Sequence, residues 1–355
     1  MQKHHPKTPK EKNKMITLIS IGINSHQDLS LKAIQAAQEA DKVYAETYTM
    51  KLDTTIPELE ETIGKKITPL KRNGMEEQAD QLLQEAKTSN IAILVGGDAL
   101  SATTHISLLL DAHDDGTPTQ VIHGSSIFTA ITDTGLSLYK YGKTVTIPLP
   151  EKGPVDTAIR TIKENYEHGL HTLLLLDLNM AQEKYLTIPQ AIQRLLDTGE
   201  FNPDTLLVGV ARLGSRFPEI KADTATELIR HDFGEPPHAL IAPGRLHFLE
   251  EEALEALAGC PRKVLQSHKP VGETDRLIKK YTRSCRKVLE ELEKHRLPAQ
   301  ISEEQIDELL KHTENYLDDA EYYQIDKKPV ALTSVAYAEG ILDALKLLGI
   351  VEFEW

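Results

Sequence analysis

The sequence predicts an α/β protein of two lobes, followed by a small all-α bundle. From Met15 to about residue 265, short apolar segments alternate with amphipathic ones, a pattern typical of largely parallel sheets covered by helices. After about residue 270, three helical stretches follow one another without a strand signal between them. We therefore predict a disordered basic tail at 1–14, lobes at 15–125 and 126–265, and a helical module at 271–355.

The first lobe opens with a strand, a glycine and a helix, and the alternation continues from there. Apolar runs bounded by turn residues predict strands, and apolar residues at helical spacing predict helices. The predicted strands lie at 16–21, 43–45, 91–95 and 120–123, and the predicted helices at 29–40, 56–63 and 78–86.

The second lobe repeats the pattern after a boundary that we place at about 120–140. Its predicted strands lie at 144–147, 171–177, 205–210 and 238–241, and its predicted helices at 155–168, 188–197 and 222–230. A connecting segment at 261–272 then leads to the helical module.

The module is predicted to contain helices at 273–295, 302–325 and 329–348. Ser302 and Gln305 form a capping-box signature at the start of the second helix. Pro329 and Gly349 flank the third, which is the usual asymmetry of helix ends. These signals predict a three-helix bundle.

Composition restricts the class of protein. The chain has 355 residues and a formal net charge of −14, which argues against a large nucleic-acid surface. Cys260 and Cys285 are too few for a disulfide framework and are interpreted as inert thiols in a reducing compartment. No apolar run approaches the roughly 20 residues of a membrane span, and 1–14 has no apolar signal-peptide core. We expect a cytoplasmic protein without a membrane partner.

Two glycine corners are the strongest candidates for a binding site. The first, GGDALSATTH at 96–105, follows the predicted strand at 91–95, and the second is GSSIF at 124–128. At the carboxyl end of a buried strand the backbone can approach a ligand closely. The two corners therefore suggest two walls of one pocket. A second interpretation stays open, in which Asp98 or Thr103 only caps a helix.

Several common devices for binding and catalysis are missing from the sequence. It contains no G-x-G-x-x-G and no Walker-type motif, which disfavours nucleotide diphosphates, and no G-x-S-x-G elbow, which weakens a hydrolase interpretation. No H-E-x-x-H or C-x-x-C spacing suggests a metal site. We therefore interpret His105, His123, His171 and His238 as structural histidines and expect no metal.

The ordered motifs of 15–265 resemble the archaeal-type diphthine synthases, a family with the tetrapyrrole-methylase fold. The segments that carry the resemblance are GDALSATTH (97–105), HGSSIF (123–128), YKYGK (139–143), KEN (163–165), GLHT (169–172), GVAR (209–212) and DFGEPPH (232–238). The resemblance implies two α/β lobes, with S-adenosylmethionine (SAM) bound in the cleft between them. It also implies N-methylation of the modified histidine of translation elongation factor 2, up to a trimethylammonium group, by a homodimeric enzyme.

Carried over residue by residue, the resemblance implies eight cofactor contacts. They are Ile23, Asp98, Ser101, Ser126, Ile127, Leu176, Leu213 and His238. No catalytic residue is assigned, because methyl transfer from a sulfonium to an amine that is already neutral needs only that amine and methyl be held in line in a dry site.

The sequence departs from the family at two positions near these contacts. Ala99 stands in place of a proline, which predicts a looser loop, and Leu213 stands where a small alanine is usual. Four basic residues are candidates for contacting the protein substrate, although a solvated surface role is the alternative for each. They are Lys140, Lys143, Arg212 and Arg245.

Two other functions were weighed. One is a methylase of the same fold that acts on a corrinoid or on ribosomal RNA, and the other is a non-catalytic SAM or nucleotide sensor. A substrate assay separates the first, and binding without turnover would identify the second. The last helix of the module resembles a small uncharacterised helical domain of archaea, which implies no activity. The module either docks a partner, caps the dimer or is simply a fused bundle.

Overall fold

The structure, a computed structural model, describes residues 14–46, 50–70, 79–270, 272–292, 302–325 and 327–354. The predicted tail at 1–14, except Lys14, and the predicted helix end at 293–295 lie outside this range. The chain divides into two compact units, one of Met1–Ile159 with His171–His268 and one of Arg160–Leu170 with Lys269–Trp355. Among the described helices, none combines the length and the apolar character that crossing a membrane requires.

The first sheet is entirely parallel, as predicted. Its strands run in the order β3-β2-β4-β1-β5. They are Ile16–Gly22 (β1), Lys42–Glu46 (β2), Ile67–Leu70 (β3), Ile91–Gly96 (β4) and Thr119–Ile122 (β5). The helices of this lobe are Leu31–Glu39 (α1), Ile56–Ile63 (α2), Ala79–Ala86 (α3) and Ile106–Asp114 (α4). Strand β3 was not predicted, because it is short and contains Pro69, which an edge strand tolerates.

Both faces of this sheet are buried, which explains the continuous apolar runs of its central strands. In β4, Ala92 and Leu94 pack in one cluster with α1 and α2. Ile93 and Val95 point to the opposite face and pack in a second cluster with α3 and α4. Because the strands are parallel, their carboxyl ends share one edge, and the glycine corners follow that edge.

The second sheet is mixed, so the prediction of a largely parallel sheet is wrong here. Its order is β11-β10-β12-β7-β6, and only β6 and β7 pair in parallel. Its strands are Val145–Ile147 (β6), Thr172–Leu176 (β7), Leu206–Ala211 (β10), Glu219–Thr224 (β11) and His238–Ala242 (β12). The connection from β10 to β11 is too short for the dozen or more residues of a parallel crossover, so these strands form a hairpin.

The start of the helix predicted at 222–230 is wrong, because residues 222–224 belong to the strand β11 of that hairpin. The helices of this lobe are Ile127–Ala130 (α5), Asp156–Glu167 (α6), Ile188–Leu196 (α7), Ala225–Arg230 (α8), Phe248–Leu257 (α9) and Arg262–Ser267 (α10). A two-stranded ribbon of Leu178–Asn179 (β8) and Lys184–Tyr185 (β9) completes it. Helices α9 and α10 and the ribbon were not predicted from the sequence.

The second unit contains three long helices, Glu273–Leu292 (α11), Glu303–Tyr323 (α12) and Lys328–Leu347 (α13), as the sequence predicted within the described range. The predicted capping box is confirmed, since the Ser302 main-chain N–H donates to Gln305 Oε1 at 3.1 Å and Ser302 Oγ accepts from the Gln305 N–H at 3.3 Å. Cys285 lies in the core of this unit. Burial raises the pKa of its thiol to about 12, so the thiol is protonated and inert, as expected.

An ion-pair cluster within the second unit yields a first prediction. Lys328 Nζ lies 2.6 Å from Asp275 Oδ2 and 3.4 Å from Glu167 Oε2, and less than a fifth of each side chain is exposed. Lys328→Met should cost about 1–2 kcal/mol, because it leaves two shielded carboxylates without their cation. Hydrogen exchange of α13 amides should accelerate about tenfold or more.

Lys327→Met is the matched control, because the Lys327 ammonium lies over the Tyr323 ring, 5.3 Å from its centroid, and the residue is exposed. Its cost should stay near 0.5 kcal/mol. Equal exchange rates in the two variants would contradict a stabilising role for the ion-pair cluster.

Candidate functional site

Five of the eight predicted contacts follow strands that end at one edge of the first sheet. Gly22 ends β1, Gly96 ends β4 and Ile122 ends β5, and these strands are parallel neighbours. The topology therefore brings Gly22 together with the two glycine corners at 96–105 and 124–128. The predicted contacts that follow these strand ends are Ile23, Asp98, Ser101, Ser126 and Ile127.

The three predicted contacts of the second lobe also share one edge. Leu176 ends β7, and Leu213 follows β10 by two residues. His238 begins β12, which runs antiparallel to both strands and pairs His238 with Ala211. The amino end of β12 therefore lies beside the carboxyl ends of its neighbours.

The edge of the first sheet contacts the edge of the second sheet at Ile23, the residue that follows β1. Ile23 belongs to the same buried cluster as Leu213, and half-buried Met50 packs against that cluster. Gly214 has a φ of +80°, and a Cβ atom there would lie 2.4 Å from Ile23 Cγ2. Only glycine allows this approach. The predicted contacts of both lobes thus border one region.

Main-chain hydrogen bonds connect Gly22, at the end of β1, to the first glycine corner at 96–105. The Gly22 N–H donates to the Gly97 carbonyl at 3.1 Å, and the Gly97 N–H donates to the Gly22 carbonyl at 2.8 Å. The Ala99 N–H donates to Ser20 Oγ at 2.9 Å. A proline has no N–H, so the residue that departs from the family gains a hydrogen bond that its usual occupant cannot make. The expected looser loop is therefore tied to β1 at this point.

Asp98 is the ionised group at the centre of the first edge. It is 7% exposed, and its two carboxylate oxygens accept from four donors. These are the Leu100 N–H (3.1 Å), Ser101 Oγ (3.1 Å), His123 Nδ1 (2.8 Å) and the Gly124 N–H (3.2 Å). Burial alone would raise the pKa of this carboxyl, but hydrogen bonding, from His123 above all, lowers it below its usual 3.8.

The interpretation of Asp98 or Thr103 as a helix cap is wrong, because α4 begins at Ile106 with His105 as its N-cap and without a side-chain cap hydrogen bond. The Asp98 carboxylate instead bonds the turn that follows it. A cofactor could contact Asp98 through its main chain, or by displacing one of the four donors. Among these donors, His123 has a side chain that is mostly exposed. The proposed contact is compatible with the role of Asp98 in holding this turn.

The second corner starts α5 and also holds Ile23. Ser126 is buried, and its N–H donates to Thr129 Oγ1 at 3.3 Å within a capping box. Its neighbour Ser125 accepts a hydrogen bond from the Ile23 N–H at 3.2 Å. Neither Ser125 nor Ser20 was predicted as a site residue. Ser20 could have been recognised because it is a polar residue inside the otherwise apolar end of β1.

On the second edge, Leu213 is 4% exposed and packs in the core of that lobe, so its extra bulk relative to alanine is accommodated inside the protein. Leu176 is half-buried at the end of β7. His238 Nε2 lies 3.1 Å from the Gly234 carbonyl, and its Nδ1 accepts from the Ile188 N–H at 3.4 Å. Burial lowers the pKa of His238, so the ring is neutral with its proton on Nε2.

Two of the four basic candidates for substrate contact are engaged inside the protein. The Arg212 guanidinium donates to the carbonyls of Phe233 and Glu235, each at 2.6 Å, and so supports the loop before β12. Lys140 pairs with the buried Glu250 and donates to the Arg245 carbonyl at 2.6 Å. Both side chains therefore stabilise loops. Lys143 and Arg245 are exposed, and their contact with a substrate stays a prediction.

The predicted structural histidines fall into two groups. Buried His105 Nδ1 bonds the Ala99 carbonyl, and buried His171 bonds Glu250 and the Gly244 N–H, as a structural role requires. His123 differs, because 68% of its side chain is exposed. Within the described ranges, no group of three or more His, Cys, Asp or Glu side chains is placed to hold a metal ion.

The two edges together offer apolar side chains, main-chain polar groups at the glycine corners and the ionised carboxylate of Asp98. The apolar members are Ile23, Ile127, Leu176 and Leu213. This combination suits a ligand that has a flat aromatic ring with a polar edge and a cationic group. SAM has both, so the residues present fit the cofactor that the resemblance implies.

Comparisons with known proteins extend this result. Residues 15–229 match the family of tetrapyrrole (corrin/porphyrin) methylases, and residues 280–351 match a protein family of unknown function (DUF357). The chain is 43% identical to the diphthine synthase of Methanosarcina acetivorans over 265 residues, which covers 71% of this chain and 99% of that protein. It is 41% identical to the diphthine synthase of Methanocaldococcus jannaschii over 253 residues, covering 68% and 98%. A crystal structure of diphthine synthase matches with a TM-score of 0.68 and 37% identity, covering 71% of this chain and 99% of that one.

Proposed function

The chain belongs to the diphthine synthases of the tetrapyrrole methylase family and is a methyltransferase, and from this premise we propose its cofactor and substrate. The cofactor is SAM. The substrate is the aminocarboxypropyl-modified histidine of translation elongation factor 2, which the enzyme N-methylates to diphthine. The observation that carries the proposal is the match of this chain to 98–99% of the length of its relatives.

The chemistry explains why the site needs few reactive groups. When bound, SAM supplies a methyl group that its sulfonium already activates. The protein has to hold the amine in line with that methyl group, about 3–3.5 Å away, and to exclude water. The eight residues of the two edges would hold the cofactor, with Ile23, Ile127, Leu176 and Leu213 around its ring and Asp98 near its charged end.

Mass spectrometry of elongation factor 2 tests the proposal. The substrate protein, carrying its aminocarboxypropyl-histidine precursor, is incubated with this enzyme and SAM, and we expect a gain of methyl mass on that histidine. Asp98→Ala and Asp98→Asn should abolish the gain and weaken SAM binding at least tenfold in calorimetry, because both remove the charge that organises the first edge. Asp111→Asn, an exposed residue of α4, is the control and should leave both unchanged.

The outcomes separate the alternatives weighed from the sequence. Binding of SAM without methylation of the factor would overturn the proposal, and would favour the non-catalytic sensor or a methylase that acts on a corrinoid or ribosomal RNA. These alternatives are less well supported, because relatives matched over almost their full length are named diphthine synthase.

The proposal extends to assembly and location. We propose a cytoplasmic homodimer with no nucleic-acid or membrane partner, organised as lobes at 15–125 and 126–265 with a separate bundle at 271–355. The resemblance to the family supports the dimer, and the acidic net charge of −14 supports the lack of a nucleic-acid surface. Light scattering of the purified protein would test the dimer.

A further inference from the structure

His123 lies at the first edge with a fixed orientation and an exposed ring. It follows β5, and its Nδ1 lies 2.8 Å from Asp98 Oδ2. The next residue, Gly124, donates its N–H to the same oxygen at 3.2 Å. A Cβ atom at Gly124 would lie 2.8 Å from Ser20 Cβ, so the backbone here packs closely on β1. Backbone packing and one carboxylate oxygen together fix the ring.

The hydrogen bond to Asp98 determines which ring nitrogen carries the proton. The Asp98 carboxyl is ionised at neutral pH and can only accept hydrogen bonds. The proton of neutral His123 therefore lies on Nδ1, and the lone pair lies on Nε2. With 68% of the side chain exposed, Nε2 is available to a ligand at the site. Among the described residues, Asp98 is the charged group that the structure places against this ring.

The proposed reaction needs a proton acceptor. An aliphatic α-amine has a pKa of about 8, so it is mostly protonated at neutral pH. A protonated amine has no lone pair and cannot accept a methyl group. Each methyl transfer must therefore follow the loss of one proton from the acceptor nitrogen.

On the basis of the proposed function, we propose that His123 is the general base that takes this proton, with Asp98 as its orienting partner. One N–H bond of the substrate ammonium breaks, and its electron pair stays on nitrogen as the lone pair that accepts the methyl group. The proton binds His123 Nε2, and the Asp98 carboxylate stabilises the resulting imidazolium. The imidazolium then releases the proton to solvent, which its exposure permits, before the next transfer.

The experiment is the pH dependence of methyl transfer by His123→Asn at saturating SAM. The asparagine amide can still donate to Asp98 but cannot accept a proton at neutral pH. We expect a rate at pH 7 that is reduced about 10²–10⁴-fold, the usual contribution of a general base. The deficit should shrink as the pH rises toward 9, where the substrate amine loses its proton unaided. His113→Asn, an exposed histidine of α4, is the control and should keep the wild-type profile.

Two measurements without turnover complete the test. Calorimetry should show SAM binding by His123→Asn within about threefold of wild type, and NMR of the histidine ring nitrogens should show the proton of His123 on Nδ1. An equal loss of rate at every pH, an unchanged rate at pH 7 or a proton on Nε2 would each overturn the inference. If wild-type enzyme does not methylate the factor at all, the proposed function fails instead, so the two failures are distinguishable.

Discussion

Replacing Gly22 by alanine is expected to lower the free energy of unfolding by roughly 2–5 kcal/mol and to abolish cofactor binding. Gly22 has a φ of +110°, which strains any residue with a side chain. A Cβ atom there would lie 2.3 Å from Asp28 Cβ. Asp28 cannot move freely, because its carboxylate accepts from the Asn24 N–H at 2.7 Å and the Ser25 N–H at 3.2 Å.

Gly64→Ala separates steric overlap from backbone strain. Gly64 ends α2 with a φ of +76°, but no atom lies within 4 Å of a Cβ built there. Alanine at this position should cost only about 1 kcal/mol. Urea-induced unfolding of both variants, with calorimetry for SAM, makes the comparison. Equal losses of unfolding free energy in the two variants would show that steric overlap with Asp28 is not the reason for glycine at position 22.

Replacing Glu250 by alanine is expected to cost about 3–5 kcal/mol, because it removes a buried charge on which several donors depend. Glu250 is 2% exposed. It pairs with Lys140, and it accepts from His171 Nε2 at 3.2 Å and from the N–H groups of Ser137 and His247, each at 2.9 Å. Alanine leaves all four donors without this partner.

Glu255→Ala, on the same helix α9, is the matched control for stability. Glu255 forms a surface ion pair with Arg262 at 3.2 Å, and such pairs contribute about 1 kcal/mol or less. Both variants are compared by urea-induced unfolding at pH 7. A Glu250→Ala cost as small as that of Glu255→Ala would contradict the importance of the buried cluster.

The same carboxylate makes stability depend on pH. Burial alone would raise the pKa of Glu250, but hydrogen bonds from Lys140, His247 and Ser137 outweigh it and lower the pKa from 4.5 to about 2. Because the folded state holds the charged form more tightly, this stabilisation is complete above pH 4.5 and is lost as the pH falls toward 2. It amounts to about 3 kcal/mol.

Unfolding free energies of wild type and Glu250→Gln at pH 5, 4 and 3 measure this contribution. The wild type should lose stability over this range more steeply than the variant, which has no carboxyl to protonate at this position. Parallel curves would show that the cluster does not lower the pKa of Glu250 in the folded protein.

The sequence alone determined the features whose signals are local. Continuous apolar runs predicted the central strands of the first sheet, since burial on both faces requires them. Helical spacing and caps predicted α2 and the three helices of the second unit, because a capping box such as Ser302 with Gln305 needs only residues three apart. The ordered motifs by themselves indicate the family.

Only the tertiary structure decided the partners of residues far apart in the chain. Asp98 and His123 are separated by 25 residues, and Glu250 lies 110 residues from Lys140 and 79 from His171. No spacing rule predicts such pairs, because they depend on which strands become neighbours. Strand β10 pairs with β11 in antiparallel direction, because the connection between them is too short for a parallel crossover. Apolar periodicity could not predict this, since it is the same in parallel and antiparallel strands. Apolar patterns therefore specify which elements form, and packing specifies which polar groups meet.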